Sequence, residues 1–76
     1  MNLVIHVCQF NTPRICDDGT VEAVIVNVKD TDFTTGPQTV YSGRTFATMQ
    51  SAKIFAEGIQ IGLKLLNKNE VPILFV

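Results

Sequence analysis

A chain of 76 residues forms one domain, and a domain this small buries a modest fraction of its surface and is marginal as a monomer. Apolar residues make up 46% and charged residues 17%, against about a quarter in ordinary globular chains, so the surface is poor in charge. A net charge of -1 excludes a binder that holds nucleic acid by charge alone, and the hydrophobicity excludes a disordered tail.

Residues Met1 to Val7 lack the basic region and small-residue cleavage site of a signal peptide, and they read as a strand. No run of about 18 apolar residues exists, so no membrane span is expected, and cytoplasmic residence is the default. The first predicted strand is Leu3 to Phe10. Leu3, Ile5 and Val7 point one way and Val4, Cys8 and Phe10 the other. Two apolar faces suit a central strand. Asn11, Thr12, Pro13 and Arg14 break the pattern, because proline cannot donate to a ladder. Ile15 and Cys16 either extend the strand past that irregularity or sit in a loop. Asp17-Asp18-Gly19 is a hairpin signal.

Thr20 to Lys29 is the clearest strand, with Val21, Ala23 and Ile25 alternating with Val24, Val26 and Val28. A polar loop around Phe33 leads to a weaker strand, Gln38 to Arg44, expected at a sheet edge. Thr45 or Thr48 is the candidate helix cap. The helix pattern runs from Thr48 to Asn67. Lys64 and Lys68 favour the dipole at its C-terminal end, and Asn67 or Asn69 is the candidate terminator. Pro72 stops the helix. Ile73 to Val76 is then a wholly apolar tail, tolerable only if buried, most simply as a fourth strand. The expected fold is α+β: a four-stranded, mostly antiparallel β-β-β-α-β sheet of order 3-2-1-4, with one long helix on one face.

Projected at about 100° per residue, the helix carries two apolar stripes. Ala52, Phe55, Ala56, Ile59, Leu63 and Leu66 form the expected core side. Ile54, Gly58, Ile61 and Leu65 form a second set roughly opposite, whereas an ordinary surface helix carries one stripe. Gly58 and Gly62 lie four apart, and each costs a helix about 1 kcal/mol against alanine. Something approaches the backbone there. Three readings fit: the domain's own sheet or its 30–37 loop, a second copy, or a different protein. Lys53, Glu57 and Lys64 make a membrane partner unfit.

Candidate chemistry is sparse. His6 and Cys8 share a strand face, with Cys16 further on, but three ligands at this spacing fall short of a zinc site. No third group orients a nucleophile–base pair, so no enzyme is expected. Asp30-Thr31-Asp32 lacks the glycine and terminal glutamate of a calcium loop, and no phosphate-binding loop is present. Two cysteines are too few for a disulfide scaffold and read as reduced thiols. No cofactor, metal or small-molecule substrate is expected.

The passage Tyr41-Ser42-Gly43-Arg44-Thr45-Phe46-Ala47-Thr48, followed by Ala52 and Phe55-Ala56-Glu57, resembles the final strand and helix of the small three-stranded-sheet DNA-binding domains of phage integrases. The resemblance covers about a third of the chain. It implies DNA recognition by the sheet face, with Lys29, Tyr41 and Arg44 as contacts. The strands lack the other basic and aromatic residues of that family. The favoured expectation is a non-enzymatic protein–protein interaction module, homodimeric or bound to a larger protein as its regulator or inhibitor. Ile54, Gly58, Ile61, Gly62 and Leu65 are its contact residues.

Overall fold

The computed structural model of the chain describes residues 2–32, 36, 38–41, 43–67 and 70–76, with Gln38 and Asn67 described by their backbone alone. Among them are the strands β1 (Leu3–Ile15), β2 (Val21–Asp30), β3 (Gln38–Tyr41), β4 (Thr45–Phe46) and β5 (Ile73–Phe75), and the helix α1 (Met49–Asn67). The fold is α+β: one mostly antiparallel sheet with the single long helix packed on one face. The sheet order is β3-β2-β1-β5, with β4 also on β2, and β5 runs parallel to β1.

Alternation along β1 and β2 decides which side is core. Leu3, Ile5 and Val7 stand beside Val24, Val26 and Val28, and all six are buried beneath α1. Val4, His6, Cys8, Ile25, Asn27 and Lys29 occupy the second face, where no described element covers them. β1 is longer than the expected Leu3 to Phe10. Residues 10–13 stand opposite Ala23 alone, and pairing resumes at Arg14–Glu22 and Ile15–Val21. Pro13 has no N–H for the ladder, so the chain bulges past it and continues. Gly19, at φ 86°, closes the hairpin. Its N–H donates to the Cys16 carbonyl at 2.9 Å, and the Cys16 N–H donates to the Thr20 carbonyl at 2.8 Å.

The third strand, expected as one segment from Gln38 to Arg44, is two short strands. From Asp30–Gln38 to Val28–Tyr41, and again from there to Ile25–Thr45, the register steps by one residue. Gly43 explains how the second step fits. A Cβ there would collide with the Val26 carbonyl oxygen, so only glycine allows this approach. The Gly43 N–H donates to Asn27 Oδ1 at 3.1 Å, and the Arg44 carbonyl accepts from the Val26 N–H at 3.1 Å.

Of the two candidate caps, Thr48 is the one used. Its Oγ1 accepts from the Ser51 N–H at 3.2 Å, one of the donors left free in the first turn. Ala52 and Ala56 are fully buried, and their small side chains set α1 close on the sheet. Phe55 packs on Phe46 with ring centroids 5.1 Å apart. Leu66 departs from the expected core stripe, being 80% exposed. The helix starts just after β4, and Leu63 near its far end lines the same recess as Leu3, which pairs with Asp30. Lys68 and Asn69 lie outside the described residues, as does Phe33.

β5 corrects a second expectation. The apolar tail does form a strand beside β1, and Val71, just before it, is buried. Ile73 packs partly against the core, but Leu74 and Phe75, and Val76 after the strand, are 43%, 55% and 63% exposed. β5 is the last strand of the sheet, and α1 lies mainly over β1 and β2.

Candidate functional site

The cap and the buried alanines fix the rotation of α1, and rotation decides what its far side shows. With Ala52, Ala56 and Leu63 toward the sheet, the opposite line carries Ile54, Ile61 and Leu65. They are 63%, 62% and 76% exposed. Gly58 and Gly62 lie between and beside them, both exposed. A Cβ built on either glycine meets no described atom within 4 Å. This overturns the reading in which the pair lets α1 sit close on its own sheet, because Ala52 and Ala56 do that work; the alternative, a fit under the 30–37 loop, falls partly on residues 33–35 and 37, outside the described residues. The structure therefore brings all five predicted contact residues onto one outward face.

The flanks of that face differ. On the β5 side, Gln60 Nε2 donates to the Val71 carbonyl at 2.7 Å, and Lys64 Nζ lies 3.1 Å from Glu70 Oε1. The Lys53 ammonium sits 5.9 Å from the centre of the Phe75 ring. These contacts hold the long polar side chains down along one side of the helix and leave the apolar line clear. On the other flank, an open recess of about 250 Å³ separates Phe55, Ile59 and Leu63 of α1 from Val40 and Tyr41 of β3. Its lining is apolar, without the convergent polar groups that orient a small ligand.

The residues implied by the DNA-binding resemblance do not come together. Lys29 lies on the second face of the sheet. Tyr41 pairs with Val28 and borders the recess on the helix side, and the Arg44 guanidinium stacks 5.9 Å from the centre of the Phe55 ring. His6 and Cys8 do share the second face, while Cys16 stands at the hairpin end of β1. Among the described residues no group of three or more His, Cys, Asp or Glu side chains could hold a metal ion. The Cys16 thiol instead donates to Glu22 Oε1 at 3.0 Å, and the Thr45 hydroxyl donates to Glu22 Oε2 at 2.7 Å. These two bonds, with Arg14 at 3.8 Å, hold the Glu22 carboxyl below its ordinary pKa. Partial burial, then the charge of Lys29, lowers the pKa of His6.

No protein-family model matches the chain, and neither does any curated protein or solved structure.

Proposed function

We propose that the chain is a non-enzymatic interaction module that works by burying the outward face of α1, first of all against the same face of a second copy. The observation that carries this is the pair Gly58 and Gly62. They weaken the helix, no described atom of the chain uses the space they leave, and large exposed aliphatic side chains surround them. Two helices crossing at these glycines reach the short end of the usual 8–10 Å interaxial range, with Ile54, Ile61 and Leu65 packed around the crossing. A two-fold contact is self-complementary, so one apolar line serves both partners.

Magnitudes decide how tight such a pair can be. Three side chains per copy, each about two-thirds exposed, gain on the order of 6–12 kcal/mol when covered on both copies. Association costs roughly 4–15 kcal/mol in lost freedom. The pair is therefore concentration-dependent. The test is the solution mass of the wild type and of Ile61→Lys. The substitution places a charge on the apolar line at an exposed position, so the fold survives and the mass falls. An unchanged mass refutes the reading. A wild type that stays monomeric while a larger protein protects Ile61 from solvent assigns the face to that protein instead.

A further inference from the structure

The recess between α1 and β3 lies apart from the outward apolar line of the helix, so its role is independent of that line. Buried Leu3 and Val28 form part of its lining, and Phe55 of α1 stands across it from Tyr41 of β3. The lining offers a water molecule no hydrogen-bond partner, and Val40 and Tyr41 leave apolar surface wet along the opening. Its volume of about 250 Å³ exceeds the ~150 Å³ of an apolar cavity that stays dry and takes up benzene. The size and the lining suit the apolar body of a small molecule.

The lining fixes no orientation, so the rim must, and Arg44 stands there. Its carbonyl accepts from the Val26 N–H, and Val26 is the next residue from Val28 on the same face of β2, roughly 7 Å along. Its guanidinium stacks 5.9 Å from the centre of the Phe55 ring, and Phe55 also lines the recess. Stacking occupies the face of the guanidinium and leaves the N–H donors of its edge free for a planar anion. Among the described residues no carboxylate pairs with it. The other described Lys and Arg side chains are placed elsewhere: Arg14 by Glu22, Lys64 by Glu70, Lys53 by Phe75, and Lys29 on the second face of the sheet. A head group with one negative charge is matched there, and a head group with two finds no second cation. We infer that the recess binds a small amphiphilic carboxylate, its body of about six to eight carbons seated between α1 and β3 and its head paired with Arg44.

Octanoate is the probe, titrated at neutral pH into dilute wild-type protein while the backbone amide signals are followed by NMR. The expected result is a saturable shift of the Val40, Tyr41, Phe55 and Ile59 signals, with a dissociation constant on the order of 0.1–1 mM. Octylammonium carries the same body and the opposite charge. The chain's net charge of -1 favours that cation in general, so a preference for octanoate reports a local cation. The expected preference is at least about tenfold. Arg44→Ala, with an unchanged circular dichroism spectrum, is expected to weaken octanoate by at least about tenfold and so remove the preference. No saturable shift, equal binding of the two amphiphiles, or shifts centred on Ile54, Ile61 and Leu65 overturn the inference. So does a folded Arg44→Ala variant that binds octanoate as the wild type does. The comparison of the two amphiphiles needs no variant, so it decides the matter even where Arg44→Ala does not fold.

Discussion

Replacing Gly58 and Gly62 by alanine separates what the fold needs from what an interface needs. Both positions are helical, both are exposed, and a Cβ at either meets nothing within 4 Å. No clash offsets the gain in helix propensity, so each substitution stabilises the isolated domain by about 1 kcal/mol. For a domain of this size that corresponds to a rise of about 4–8 °C in melting temperature per site. The same methyl groups stand where a second helix would approach the backbone. The double variant is therefore expected to melt higher in dilute solution and to assemble less in concentrated solution. Thermal melts and light scattering on the same samples check both halves. A double variant that melts no higher would show that the fold itself uses the glycines. One that melts higher and assembles as well as the wild type would refute the close crossing at Gly58 and Gly62.

Gly43→Ala should be destabilising in the opposite sense, by about 1–3 kcal/mol, because the new Cβ overlaps the Val26 carbonyl and forces β4 away from β2. A urea midpoint equal to that of the wild type would contradict the close approach. The pH dependence follows from His6 and Glu22. The His6 pKa is below its ordinary 6.5 in the fold, so the unfolded chain takes up that proton first as pH falls. Stability is whole above about pH 6.5 and declines as pH falls from there toward the lower folded value. His6→Gln should remove that decline, and an unchanged slope in the urea midpoint between about pH 7 and pH 5 would refute it. Glu22 adds a separate loss below its ordinary 4.5, as pH falls through its depressed folded value.

Much of this fold was legible because its signals are local. The β-branched alternation of Val21 to Val28, the two apolar faces of the first strand and the Asp-Gly turn all act over a few residues. So does the cap at Thr48. The outward line of Ile54, Ile61 and Leu65 was equally readable from helical spacing. What escaped depends on partners distant in sequence. Gly43 looks like any loop glycine until Val26 is placed against it. Leu66 falls on the core stripe by angle, yet in the fold it is 80% exposed. The apolar tail was expected to be buried because its residues are hydrophobic, yet the sheet ends with it. No pattern within the strand reveals what lies beyond it.

The central claim is that the outward face of α1 is an interface. Light scattering over a concentration series, on the wild type and on Ile61→Lys side by side, tests it most directly. The account predicts that the wild type assembles as concentration rises and that Ile61→Lys, with an unchanged circular dichroism spectrum, shows a lower mass than the wild type at the same concentration. A wild type that remains monomeric throughout, or a variant that matches its mass at every concentration, would contradict it.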